Sequence, residues 1–175
     1  IYIVMDNQIY GLTKGQTSPS SAVGFVTKST PKGNIEKNVA PLELALSSGA
    51  TFVAQGFSSD IKALTKLIED AINHDGFSFV NVFSPCVTYN KINTYDWFKE
   101  NLISIDDIEN YDPTNKQLAI QTVLEHESLV KGIVYQDTTT PSYESQIEEL
   151  DESALTKRDI HLSEQEFNDL TAQFV

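Results

Sequence analysis

The sequence predicts an α/β fold, a parallel sheet flanked by helices, with an acidic helical C-terminal extension. Three observations carry this expectation. Short runs rich in β-branched and aromatic residues occur at Ile1–Met5, Thr51–Gln55 and Phe77–Phe83, each reading as a strand covered on both faces. An amphipathic stretch fills the interval between the second and third runs, giving a βαβ unit with parallel strands and a right-handed crossover. Charge is also unevenly spread: residues 1–100 carry 8 Lys/Arg and 9 Asp/Glu, and residues 101–175 carry 4 and 16. The division is therefore expected near residue 100, with a nearly neutral domain at 1–100 and the acidic extension at 101–175.

Taken in order, the first strand opens the chain at Ile1, with no polar lead-in and no initiator Met. A chain seldom starts in mid-strand, so the sequence is expected to be the C-terminal part of a longer protein. A polar stretch from Asp6 to Ala40 follows, containing Gly11, Gly15, Gly24, Gly33, Pro19 and Pro31. A loop of that length inside an α/β domain is usually functional, and it leaves the end of a strand where open parallel sheets hold ligands. A weak helix spans Pro41–Ser48 with Pro in its first turn, and Gly49 ends it. The main helix runs from about Asp60 to Asn73, with Ile61, Leu64, Leu67, Ile68, Ala71 and Ile72 on one stripe. Ser58 or Ser59 is expected to cap it, with Gly76 just past its end. Beyond the third strand, helices are expected at Asn93–Ile103, carrying Trp97 and Phe98, and at Thr114–Glu127, with Leu118, Ala119, Val123 and Leu124 inward. An edge strand is expected at Gly132–Gln136. Short acidic helices are expected at 141–152 and 163–174, the last packing through Phe167, Leu170 and Phe174.

Composition excludes several classes of function. A net charge of -13 argues against nucleic acid as a partner, since phosphate neutralisation needs excess Lys and Arg. No run reaches the roughly 18 apolar residues needed to span a bilayer. The single Cys86 excludes an internal disulfide and points to a reducing, intracellular, cytoplasmic setting. His74, His126 and His161 show no zinc-like or catalytic spacing. Ser84 and the Ser18–Ser21 group lack the strand–turn–helix context of a hydrolase nucleophile.

The informative stretch is Met5-Asp6-Asn7-Gln8-Ile9-Tyr10-Gly11-Leu12-Thr13-Lys14-Gly15-Gln16-Thr17-Ser18-Pro19. A strand delivers Asp6 and Asn7 to its C-terminal edge, and glycines follow at two positions where a ligand could approach the backbone. The Asn7 amide oxygen and a carbonyl two residues on suit a hard cation such as Mg²⁺, which shares phosphate oxygens with its partner. Thr13, Gly15 and Lys14 add a hydroxyl, an open amide and a point charge for phosphate or carboxylate. On spacing alone a solvated turn accounts for the same residues. Likewise, on its own Cys86 in Ser84-Pro85-Cys86 reads as a small buried hydrophobe, the commonest fate of a lone cysteine.

This stretch resembles the second half of the thiamine-diphosphate motif in the β subunit of 2-oxoacid:ferredoxin oxidoreductases. The resemblance continues through Ser29-Thr30-Pro31-Lys32-Gly33 and Phe83-Ser84-Pro85-Cys86-Val87-Thr88-Tyr89-Asn90. It covers most of residues 1–100, which it makes the C-terminal portion of a thiamine-diphosphate-binding domain. It implies Mg²⁺ ligation by the Asn7 side chain and the Ile9 carbonyl, and Gly11, Leu12 and Thr13 as neighbours of the diphosphate or thiazolium. Leu12 would buttress the thiazolium, and Lys14 would face the 2-oxoacid carboxylate. Cys86 would be the distal ligand of a [4Fe–4S] cluster, which takes four thiolates. The implied activity converts a 2-oxoacid and coenzyme A to acyl-CoA and CO₂, with electrons passing to ferredoxin and an α subunit as partner. The family's Gly-Asp-Gly half-motif and its other cluster cysteines do not occur in this sequence, so each site is expected to be only half present. Two rivals stand beside this reading: another thiamine-diphosphate decarboxylase or synthase without a cluster, and a non-catalytic interaction module.

Overall fold

A computed structural model describes every residue except 148–154, 158, 160 and 175. Five strands form one sheet: β1 (Tyr2–Asp6), β2 (Phe52–Phe57), β3 (Ser78–Phe83), β4 (Ile103–Ser104) and β5 (Val130–Gln136). Their order is β1-β3-β2-β5-β4. β3 runs parallel to β1 and β2, and β4 parallel to β5, while β2 and β5 are antiparallel with a register shift at Val53/Ala54. The expected βαβ unit is present, its helix α2 (Ile61–Asn73) joining β2 to β3.

Every residue of β2 and β3 is buried, as expected of parallel strands covered on both faces. On one face Val53, Phe79, Val130 and Val134 pack with Leu42 and Leu46 of α1 (Pro41–Ser47) and with Ala119 and Val123 of α4 (Lys116–Glu125). On the other, Phe52, Ala54, Val80 and Val82 meet Leu67 and Ala71 of α2. A third cluster closes the C-terminal edge of the sheet, where Phe98 of α3 (Tyr95–Asn101) stacks on Phe83 with ring centres 4.5 Å apart.

Several expectations are corrected. β1 is not covered on both faces: among the described strands it lies at the edge, paired with β3, and Tyr2, Ile3 and Met5 are exposed. Conversely, β5 is no edge strand, because the two residues of β4 lie outside it. Asp60, not Ser58 or Ser59, caps α2 by accepting the Ala63 N–H at 3.3 Å, and it also pairs with Lys131 at 3.1 Å. Ile61 and Ile72 face solvent, since a helix on a flat sheet buries only the narrow stripe through Leu67 and Ala71. Leu124 is exposed for the same reason, and Thr122 takes an inward place on α4. The compact unit runs from Ile1 to Pro141, so residues grouped by charge with the extension supply β4, α4 and β5.

Residues 142–174 form a separate unit. In it, α5 (Glu164–Ala172) begins with a capping box in which Ser163 and Glu166 satisfy each other's backbone amides. Phe167, Leu170 and Phe174 are exposed, so the packing expected of them is not formed. Of the helix expected at 141–152, a 3₁₀ turn at Glu144–Gln146 is seen, and 148–152 lie outside the described residues.

Two amides cross the buried middle of the sheet. Gln55, 1% exposed, donates from Nε2 to the carbonyls of Ser128 and Val130, both at 2.6 Å. Its Oε1 accepts from Asn81 Nδ2 at 2.8 Å. Gln55→Leu would leave a buried amide and carbonyls unpaired, and is expected to cost about 2–4 kcal/mol, read by denaturant unfolding. The Tyr111 hydroxyl donates to the Val134 carbonyl. Burial, helped by the Asp112 charge, pushes its pKa from 10.0 to about 12. The folded protein therefore holds a proton that the unfolded chain loses first, and stability falls as pH rises from 10 through 12. Tyr111→Phe is expected to cost about 1 kcal/mol at neutral pH and to flatten that alkaline loss in melts taken across the window.

Candidate functional site

β1 ends at Asp6, which is buried although its strand is not. Its Oδ1 accepts from Ser20 Oγ at 2.7 Å and from the Gln8 N–H at 3.1 Å. Burial pushes the carboxyl above its usual range, while the bonds from Ser20, Gln8 and Asn81 pull the other way. Next, Asn7 Oδ1 accepts the Ile9 N–H at 3.0 Å, closing an Asx turn. Gln8, between them, is left-handed with φ 56°, and Ser21 Oγ donates to its carbonyl at 2.6 Å. Ile9 turns inward and is 2% exposed. The turn is thus fixed from outside by serines thirteen or fourteen residues along the chain.

The loop then folds back on itself. Tyr10 and Gln16 form an antiparallel bridge, with the Tyr10 N–H bonded to the Gln16 carbonyl at 2.9 Å. Lys14 and Gly15 are both left-handed, at φ 68° and 97°. The tip presents Leu12, 99% exposed, with Thr13 and Lys14 also exposed. Asn7, Ile9, Gly11, Leu12 and Thr13 line one open cleft of about 590 Å³, with Pro19 and Pro41 also in its wall. Lys14 sits next along that tip. Five of the expected cofactor contacts are therefore brought together.

Cys86 approaches the same loop. A Cβ built on Gly11 would lie 3.5 Å from Cys86 Sγ, and one on Gly15 would lie 3.1 Å from the Tyr89 ring. The thiol is free and half-buried, so it is neither the inert core residue nor a fully exposed one. Among the described residues no three His, Cys, Asp or Glu side chains converge on a metal position. A cation at this turn would thus rely on amide, carbonyl and ligand oxygens, a donor set that suits Mg²⁺. A cluster at Cys86 would need thiolates from elsewhere, because the sequence has one cysteine.

Sequence reasoning assigned no role here to Ser20, which both lines the cleft and bonds Asp6, or to Ser21 and Asn90, which hold the turn from outside it. For Asn90 the available signal was its place four residues after Cys86 in the Ser84–Asn90 stretch.

A mostly parallel sheet flanked by helices, with a glycine-bearing loop and a cleft at the end of a strand, defines an α/β domain of the kind that takes ligands at its strand ends. Residues 1–82 match the family model of the C-terminal TPP-binding domain of thiamine pyrophosphate enzymes, and residues 86–152 match that of the C-terminal part of the pyruvate ferredoxin oxidoreductase β subunit. A 2-oxoacid:ferredoxin oxidoreductase β subunit from Sulfolobus sp is 42% identical over 157 residues, spanning 84% of this chain and 52% of that one. Its counterpart from Saccharolobus solfataricus is 37% identical over 169 residues, spanning 91% and 55%. A solved 2-oxoglutarate:ferredoxin oxidoreductase from Magnetococcus marinus, with 2-oxoglutarate, coenzyme A and succinyl-CoA bound, superposes with a TM-score of 0.81 at 34% identity, covering 97% of this chain and 57% of that one. The chain belongs to the β-subunit family of the 2-oxoacid:ferredoxin oxidoreductases, and it spans about half the length of the curated relatives it matches.

The glycine at the loop's return is testable. Gly15→Ala meets both a left-handed backbone and the Tyr89 ring, whereas Gly24→Ala, at φ 81° with open space, meets only the first. The left-handed penalty is about 1–2 kcal/mol. Gly15→Ala is expected to destabilise by more than Gly24→Ala in parallel denaturant melts.

Proposed function

We propose that this chain works within a 2-oxoacid:ferredoxin oxidoreductase, as β-subunit sequence that receives the diphosphate and metal end of thiamine diphosphate. The observation that supports this most is the externally fixed Asn7–Ile9 turn opening onto the cleft beside Gly11, with the Cys86 thiol against the same glycine. In this reading Asn7 Oδ1 and the Ile9 carbonyl hold Mg²⁺, while Gly11 and Thr13 face the diphosphate. Leu12, exposed at the tip, stands against the thiazolium, and Lys14 supplies a positive charge to the carboxylate of the 2-oxoacid. Cys86 holds one iron of a [4Fe–4S] cluster. When bound, thiamine diphosphate supplies the electron sink for the reacting carbon.

The balanced reaction breaks the C1–C2 bond of the 2-oxoacid, releases C1 as CO₂ and joins the acyl carbon to the sulfur of coenzyme A. The thiol proton is released, and two electrons are left for ferredoxin to accept one at a time; a [4Fe–4S] cluster held in part by Cys86 would supply the one-electron relay. The chain's share is to orient the metal, neutralise substrate charge and shape the wall of the site. An α subunit and further β-subunit sequence supply the rest. A cytoplasmic location fits a free cysteine and an iron–sulfur centre, and no helix among the described residues is long and apolar enough to cross a membrane.

In the assembled enzyme, Asn7→Ala is expected to weaken binding of thiamine diphosphate with Mg²⁺ by about 10–100-fold in calorimetric titration. Lys14→Ala is expected to lower kcat/KM for the 2-oxoacid by about 10–100-fold, the value of a charge-assisted hydrogen bond. Cys86→Ser should lose iron and acid-labile sulfide. Unsubstituted enzyme that contained no iron and took up no thiamine diphosphate would reject the reading.

A further inference from the structure

The two candidate loops are far apart in sequence, yet one side chain joins them. Asn90 is 1% exposed and lies on the turn that follows Cys86, its N–H bonded to the Cys86 carbonyl at 3.0 Å. Its Oδ1 accepts two backbone N–H groups, from Ile92 at 3.0 Å and Asn93 at 2.9 Å. Those bonds fix which end of the amide is oxygen, because only an acceptor can serve both. The Nδ2 is therefore turned the other way, where it meets the main-chain carbonyl of Asn7 and Asn93 Oδ1, each at 3.5 Å. These are long bonds, but among the described residues they are the acceptors this buried amide has, and leaving it unpaired would be costly. Tyr89 against Gly15 and Cys86 against Gly11 make two further contacts between the same loops.

We propose that Asn90 is a positioning residue which sets the Asn7 turn against the Cys86 loop, so that one buried amide fixes the metal-and-diphosphate end and the thiol relative to each other. This rests on the reading of Asn7 and Cys86 given above. Oδ1 shapes its own turn and Nδ2 reaches across to the other, so the two jobs sit on different atoms and can be separated. Asn90→Asp keeps an acceptor for Ile92 and Asn93, but turns a second oxygen toward the Asn7 carbonyl, where the two repel. Asn90→Ser keeps a small acceptor and cannot reach Asn7.

The test is amide hydrogen exchange on the full chain, which needs no cofactor. With Asn90→Asp, exchange across residues 7–16 is expected to quicken by about tenfold, the value of about 1.4 kcal/mol, with residues 52–57 unchanged. Because Asp keeps the acceptor for Ile92 and Asn93, exchange over 86–93 is expected to stay as it was, so a quickening over 7–16 reports the lost bond to Asn7 and not a loosened Cys86 turn passing its motion on through Gly11 and Gly15. Unchanged exchange over 7–16, or a change confined to 86–93, overturns the proposal. Should the Asp variant fail to fold, Asn90→Ser is read by the same criterion. In parallel, thiamine diphosphate with Mg²⁺ is titrated into the assembled unsubstituted enzyme. No binding there defeats the functional reading and leaves the exchange result to judge the coupling on its own.

Discussion

The structure depends on how it pairs the amides buried where the sheet changes from parallel to antiparallel pairing: Gln55 is bonded at both ends, while Asn81 donates to Gln55 and its own Oδ1 has no partner among the described residues. β2 and β3 are wholly buried, yet each places an amide side chain in the middle of the sheet. Gln55 and Asn81 are register partners, and Asn81 pairs on its other side with Val4 of β1. Through Gln55 the link continues to the carbonyls of Ser128 and Val130, where β5 begins. A buried amide without partners costs more than its bonds return when paired, so the register of these strands is held by polar arithmetic as well as by the hydrophobic faces. A slip of one residue along β2 or β3 would strand both amides in the apolar layer. The same register brings Asp6 to the end of β1, beside Asn81, and so fixes where the Asn7 turn leaves the sheet.

What was legible in the sequence follows from this. Long β-branched runs and the stripe through Leu64, Leu67 and Ala71 speak for themselves, because burial on both faces of a strand and on one face of a helix leaves a local period. The βαβ unit was readable for that reason. β4 was not, since two residues carry no period, and with β4 unseen β5 looked like an edge. Charge misled at the boundary: acidity marks solvent exposure of loops and helix faces, and 101–141 combines exposed acids with buried Ile105, Val123 and Val134. The hydrophobic spacing of Phe167, Leu170 and Phe174 resembles a packing face, but spacing supplies no partner, and all three are exposed.

For the candidate site, the residues beside the strand end were readable and those that hold the turn from a distance were not. Asn7, Gly11 and Thr13 announce themselves by type and position next to a strand end. Ser20 and Ser21 act on Asp6 and on the Gln8 carbonyl from thirteen or fourteen residues away, through hydroxyls that any polar loop contains. Asn90 acts from still farther. Long-range hydrogen bonds leave no local pattern, so the support of a site is less visible in sequence than its surface.

That support also explains how the loop keeps an unfavourable shape. Gln8 and Lys14 are both left-handed without being glycine, at about 1–2 kcal/mol each. Neither would persist in a free loop. The Gln8 N–H and carbonyl are both taken, by Asp6 and by Ser21, so in the left-handed turn both backbone groups of the strained residue have partners. At Lys14 the N–H bonds back to Gly11 and the neighbouring Gly15 N–H to Tyr10, which closes the loop around the strained residue. The strain is thus offset inside the protein, before any ligand arrives. A loop already held in shape loses little conformational entropy when it binds, and the interactions it makes then appear as affinity and orientation instead of being spent on ordering the chain.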